Sequence, residues 1–142
     1  MNRALFSNVT ADWSTPAEVY RDLDAEFHFT LDPCPLNGTL GLQRSWKGEH
    51  VFCNPPYGTG ILKWLRKSRE ADVAVYLLPA RTDTAWWHGW ALEAEEVRFV
   101  RGRLRFGGAV HSAPFPSAIL VFTSNEFTAR LLARQLNRAE AK

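Results

Sequence analysis

The sequence predicts an α/β fold: a single domain on an open, mostly parallel sheet flanked by helices. Three observations lead there. Short apolar runs alternate with stretches of helical periodicity from residue 13 to the end. Three of these runs stop at prolines, in Asp32-Pro33, Asn54-Pro55 and Pro79, where a central strand cannot continue. The 142 residues are 46% hydrophobic and carry no repeat, low-complexity run or linker, so one core accounts for the chain. We therefore expect one domain over 1–142, with 1–12 as a flexible lead-in. A chain of this length buries about 70% of the surface its unfolded form exposes and needs no disulfide or metal to fold.

The elements follow in order. Thr15-Pro16-Ala17-Glu18 has a cap residue, a proline suited to the first helical position and an acid at the capping-box position, which predicts a helix over 16–26. Val19, Tyr20, Leu23 and Phe27 form its apolar face. A short strand over 28–31 ends at Asp32-Pro33-Cys34-Pro35, and 36–48, with three glycines and little periodicity, reads as loop with one turn of helix at most. A strand over 51–53 ends at Asn54-Pro55-Pro56-Tyr57-Gly58. A helix over 61–70 and a buried strand over 73–78 come next. Asp83 is the expected cap of a helix over 84–94, whose Trp86, Trp87 and Trp90, like Trp64 before them, sit at packing positions. Strands over 96–100 and 103–106, a flexible segment over 107–116 and a strand over 118–123 lead to a final helix over 124–139. That helix should turn Phe127, Leu131, Leu132 and Leu136 inward and Arg130, Arg134 and Arg138 outward, as a solvated stripe.

Composition excludes several classes of function. A net charge of +2 does not by itself mark a nucleic-acid partner, although local arginine clusters can still make a binding surface. Cys34 and Cys53 are too few for a disulfide framework, and no metal-ligand spacing joins them to a histidine, so free thiols and no metal are expected. No run approaches the ~20 apolar residues of a membrane span, and the first residues lack a signal-peptide core, which points to a cytoplasmic protein. Six Trp, nine Phe and three Tyr exceed what the core requires, so some should line a site.

In open α/β sheets, ligands bind beyond the carboxyl ends of the strands. The loops after Leu31, Cys53 and Leu78 converge on that edge, and Asn54-Pro55-Pro56-Tyr57 is their most specific feature. It suits methylation of a planar amino group, whose delocalised lone pair is a poor nucleophile. The Asn54 side-chain oxygen and the Pro55 carbonyl can each accept an N–H, orienting the lone pair and stabilising the charge that develops. The prolines stiffen the backbone, and Tyr57 can stack on the substrate ring for roughly 1–3 kcal/mol. Read without that chemistry, the tetrad is a proline-rich strand end with a surface tyrosine.

The tetrad resembles that of amino-group methyltransferases that use S-adenosylmethionine. Five further segments resemble successive blocks of the phage-type, Dam-like DNA N6-adenine methyltransferases: Trp13-Ser14-Thr15-Pro16, Phe29-Thr30-Leu31-Asp32-Pro33-Cys34, Leu78-Pro79-Ala80-Arg81-Thr82-Asp83-Thr84, Gly102-Arg103-Leu104-Arg105-Phe106 and Ala113-Pro114-Phe115-Pro116-Ser117-Ala118. The similarity runs from Trp13 to Phe122. It implies a minimal, single-domain, Rossmann-like methyltransferase fold. The implied activity is methyl transfer from S-adenosylmethionine, without a metal, to the exocyclic amine of a flipped adenine in double-stranded DNA. It also implies a bacterial host cytoplasm if the chain is phage-encoded.

By the same resemblance, Asn54, Pro55, Pro56 and Tyr57 are catalytic, and Trp13, Thr15, Pro16, Asp32, Pro33 and Cys34 bind the methyl donor. The chain departs from the wider superfamily in lacking Gly-x-Gly after the first strand, where Pro35-Leu36-Asn37-Gly38 stands, and no acid is assigned to the ribose.

Other residues admit two readings. Asp32 is a donor contact or a turn carboxylate. Arg81 and Asp83 form a local ion pair or touch substrate. Arg103 and Arg105, ahead of Phe106, contact phosphates or stand exposed on a hairpin. Phe115, between two prolines, stacks on adenine opposite Tyr57 or anchors its loop. At the level of the whole protein, the alternatives are a methyltransferase of RNA adenine or protein glutamine, and an inactive DNA-binding module of the same fold.

Overall fold

The computed structural model describes residues 14–34, 40–108 and 111–141. Their centre is a sheet of four strands: β1 (His50–Cys53), β2 (Val73–Pro79), β3 (Glu96–Phe99) and β4 (Ser117–Thr123), in the order β1-β2-β4-β3. Every residue of β2 is buried, as its unbroken apolar run requires of a strand covered on both faces. Helices α1 (Ala17–Phe27), α2 (Ile61–Arg66), α3 (Ala85–Trp90) and α4 (Asn125–Glu140) complete the fold. Short 3-10 turns extend α2 over Lys67–Arg69 and α3 over Ala91–Glu93.

Side chains alternate across the sheet and build two cores. On one face Val51, Cys53, Ala74, Tyr76, Leu78, Ala118 and Leu120 pack under α2 and α3, against Trp64, Leu65 and Trp87. Trp86 and Trp90 are partly buried against the same core. On the other face Phe52, Val75, Leu77, Ile119 and Val121 are covered by Leu23 of α1 and by Phe106, Ala113 and Phe115 of the connection between β3 and β4.

The sheet is mixed, not mostly parallel. β1 and β2 run parallel, but β4 is antiparallel to both of its neighbours. The reason lies in the β3–β4 connection, residues 100–116, which holds no crossover helix, and strands joined without a crossover pair antiparallel. That connection also overturns the strand expected over 103–106. Phe106 and Phe115 bury themselves on the sheet face, with Leu104 partly buried against them, instead of pairing, and β4 already has a neighbour on each side. The strand expected over 28–31 shrinks to one parallel bridge, Leu31 to Val51, which still brings Asp32 to the edge where β1 ends.

Three helix expectations also change. α1 begins at Pro16 with no side-chain cap, because the Thr15 hydroxyl is engaged elsewhere. α3 is capped by Thr84, which accepts from Trp87 N, and not by Asp83. α4, correctly placed after its Ser124 cap, buries none of its residues: Leu131, Leu132 and Leu136 are 41%, 55% and 65% exposed. It leaves the sheet at the edge opposite the proline loops, with Arg130 tied to Asp72 at 2.6 Å. No helix among the described residues is long and apolar enough to cross a membrane.

Candidate active site

The strand directions bring the candidate residues together. β1 and β2 end side by side, so Asn54 and Ala80 leave the sheet at one edge. β4, running the other way, starts there, with Ser117 opposite Pro79 and Ala80 N bonded to the Pro116 carbonyl. β3 ends there too, which delivers the 100–116 connection. A groove of about 670 Å³ at the opposite edge, lined by Phe27, His50, Asp72, Phe127 and Arg130 among others, includes none of the candidate residues.

Asn54 sits at the centre. Its Nδ2 donates to Thr15 Oγ1 at 3.1 Å, and its Oδ1 accepts from the Tyr57 hydroxyl at 2.7 Å. The same hydroxyl lies 3.4 Å from the Leu77 carbonyl of β2. Pro55 is buried and Pro56 exposed. Gly58 follows with φ +129, a conformation that side chains rarely adopt, so the glycine is what lets the backbone turn away directly after Tyr57.

Burial raises the Tyr57 phenol far above its ordinary value of 10.0, which leaves it a neutral donor at any physiological pH. Its ring packs against both cores and meets Phe115 edge to face, 5.6 Å between centroids at 86°. That geometry leaves no parallel slot between the two rings. Phe115 is 7% exposed and rests on Phe106, which at 1% belongs to the core. The Arg81 guanidinium lies over the Phe115 ring at 5.8 Å, and no ion pair joins it to Asp83. Arg103 and Arg105 are exposed on the neighbouring loop, with Arg103 Nη1 3.4 Å from the Ala113 carbonyl.

On the other side of Asn54, Asp32 Oδ1 accepts from Cys34 N at 3.1 Å, the turn geometry expected of Asp before Pro. Asp32 is exposed by area, yet enough protein surrounds its carboxyl to raise its pKa above the ordinary 3.8, against the opposing pull of the Cys34 N–H. Burial, reinforced by Asp32, pushes the Cys34 thiol up to about 11. Fully buried Cys53 is also raised, so neither free thiol offers a thiolate at neutral pH. Trp13 and the segment Pro35-Leu36-Asn37-Gly38 lie outside the described residues.

Two residues missed in the sequence hold this side in place. Gly41, in a 3-10 turn over Leu40–Leu42, lies so close to Pro33 that an added Cβ would sit 1.8 Å from the Pro33 carbonyl oxygen. Its own carbonyl accepts from Trp46 Nε1 at 2.9 Å. The readable signal was a glycine in an aperiodic stretch just after a proline-rich strand end. Gly107 N donates to the Ser14 carbonyl at 3.0 Å, tying the turn after Phe106 to the residue before Thr15; no side-chain pattern announces such a bond.

An amide oxygen and proline carbonyl at a strand end, beside an aromatic ring, fit the recognition of a planar amine. The sequence model of one family, DNA N-6-adenine-methyltransferase (Dam), matches residues 4–130. The chain belongs to this family. No curated protein and no solved structure matches it. Membership in the Dam family implies S-adenosylmethionine as methyl donor and DNA as substrate. The residues fit such a donor: a carboxylate (Asp32) and a hydroxyl (Thr15) suit its polar amino-acid and ribose groups, and the Asp32 loop and Asn54 leave the sheet at one edge. Among the described residues, no group of three or more His, Cys, Asp or Glu could hold a metal ion.

Proposed function

We propose that this Dam-family protein transfers the methyl group of S-adenosylmethionine to the N6 amine of an adenine flipped out of double-stranded DNA. The observation that carries this reading is the placement of Asn54. Its side-chain oxygen is held at the carboxyl edge of the sheet by the Tyr57 hydroxyl, and its nitrogen is turned away toward Thr15.

In this mechanism Asn54 Oδ1 and the Pro55 carbonyl each accept one N–H of the target amine. An amide oxygen has two lone pairs, so the Tyr57 bond and a substrate N–H are compatible on the same atom. The two acceptors direct the amine lone pair and stabilise the positive charge that grows on nitrogen as the new N–C bond forms. When bound, S-adenosylmethionine supplies a methyl group on a sulfonium leaving group. No nucleophile on the protein is required, which agrees with two raised, protonated thiols.

An N6 amine inside a duplex cannot reach Asn54, so the adenine must leave the stack, at a cost of a few kcal/mol. A ring face of Tyr57 offsets part of that cost. Because Tyr57 and Phe115 meet edge to face, the base stacks on one ring and touches the other at its rim. Phe106 acts through Phe115, and Arg103 and Arg105 face the phosphates. Trp13, Thr15, Pro16, Asp32, Pro33 and Cys34 form the donor side.

The test offers unmethylated duplex DNA, RNA and protein in parallel with labelled S-adenosylmethionine. Label in DNA, recovered as N6-methyladenine, is expected. Label in RNA or protein alone would overturn the reading.

A further inference from the structure

Asn54 can serve as an acceptor only if its amide keeps one of two orientations related by a half-turn about its last bond. With Oδ1 toward the target it accepts an N–H. Turned over, Nδ2 meets the amine donor to donor and repels it. Among the contacts that distinguish the two are those to a pair of hydroxyls from distant parts of the chain. Tyr57 Oη donates to Oδ1 at 2.7 Å, much shorter than its 3.4 Å approach to the Leu77 carbonyl, which places the amide oxygen on the Tyr57 side. Thr15 Oγ1, 39 residues away in sequence, receives Nδ2 at 3.1 Å on the other.

The Thr15 backbone is itself held on both sides. The Ser14 carbonyl accepts from Gly107 N at 3.0 Å, and the Pro16 carbonyl accepts from Tyr20 N at 3.1 Å in the first turn of α1. This arrangement also explains why Thr15 gives up the capping role that its position suggests: α1 starts without a side-chain cap.

We infer that Thr15 is a positioning residue for methyl transfer, whose hydroxyl oxygen fixes the Asn54 amide so that Oδ1 faces the target amine. This rests on the role given to Asn54 above. It goes further in assigning Thr15 an effect on the rate of the chemical step, separate from any hold on the methyl donor. Valine at 15 matches threonine in shape and removes the acceptor, while serine keeps it.

The experiment compares wild-type protein with T15V, T15S, N54A and T15V/N54A, all full-length. It measures kcat and KM for both substrates, melting temperature, and the side-chain amide resonances of Asn54 in the ligand-free protein. A misplaced catalytic group costs up to ~100-fold, so T15V should lower kcat roughly 10- to 100-fold with the KM for DNA unchanged, a loss in kcat larger than any rise in the KM for S-adenosylmethionine that follows from its donor-side place. T15S should recover kcat to within about threefold, and T15V should add no further loss on the N54A background. The Asn54 amide resonances should move in T15V and not in T15S, at unchanged melting temperature.

A T15V kcat within about threefold of wild type would overturn the inference. So would a loss confined to the KM for S-adenosylmethionine, or a full additional loss on N54A. If wild-type protein makes no N6-methyladenine, the adenine reading fails, and the amide resonances still decide whether Thr15 orients Asn54.

Discussion

Tyr57 combines two contributions that substitution separates. Its hydroxyl donates to Asn54 Oδ1, and in the proposed mechanism its ring gives the flipped base a stacking face. Tyr57→Phe keeps the ring and should lower kcat about tenfold, the equivalent of one hydrogen bond of ~1.4 kcal/mol, with KM for DNA unchanged. Tyr57→Ala removes the ring as well and should add ~1–3 kcal/mol, read as a further loss in kcat/KM for DNA. Steady-state kinetics on both variants checks this, and equal losses would mean that the ring contributes nothing. Asn54, Pro55 and Tyr57 stood out in the sequence as one candidate group because residue type and order single them out, and the structure keeps Asn54 and Tyr57 in contact at the end of β1. The bond from Asn54 to Thr15 was not. A threonine ahead of Pro16 and Glu18 satisfies the local rules for a helix cap, and only the fold shows that a partner 39 residues away takes its hydroxyl.

Among the elements, the turn over Leu40–Leu42 and the clamp at Arg98 each make a claim that can be measured. The turn lies on Pro33 without room for a side chain, so Gly41→Ala must push the Asp32-Pro33-Cys34 loop away from its place. Overpacking of this kind costs about 1–3 kcal/mol. Denaturant titration should show that loss, and calorimetry should show weaker binding of S-adenosylmethionine. Arg98 of β3 bonds Glu96 and Glu26 at the end of α1, 2.7 Å to each, and holds both carboxyls below their ordinary value of 4.5. A lowered carboxyl pKa stabilises the folded chain above the unfolded value, and that contribution disappears as pH falls through the folded one. These groups are largely exposed, so Arg98→Ala should cost no more than ~1 kcal/mol at pH 7. The difference between wild type and variant should close as pH drops below 4.5 and stay constant above it. Helix α4 shows where periodicity misleads. Phe127, Leu131, Leu132 and Leu136 follow a helical spacing that reads as a buried face, but only Phe127 packs against the core, and the three leucines stay exposed.

At the scale of the molecule, the direction of β4 is what assembles the site. An all-parallel sheet would bring only the ends of strands to the edge that carries Asn54. The mixed sheet adds the start of β4, and with it Phe115 and Phe106, beside Asn54. The α/β class, the convergence of the proline loops and the order of the elements were legible, because strand–helix alternation and proline stops are local signals. Strand direction was not, since it depends on what the 100–116 connection does in space, and its apolar residues fit a strand as well as a loop folded onto the sheet. In the proposed function this assembly methylates adenine through Asn54. The direct measurement is transfer of labelled methyl to unmethylated duplex DNA by wild-type protein and Asn54→Ala, with the modified base identified by mass spectrometry. N6-methyladenine formed by the wild type and cut ~100- to 1,000-fold in the variant is the predicted result. A variant as active as the wild type, or label on any base atom other than adenine N6, would contradict it.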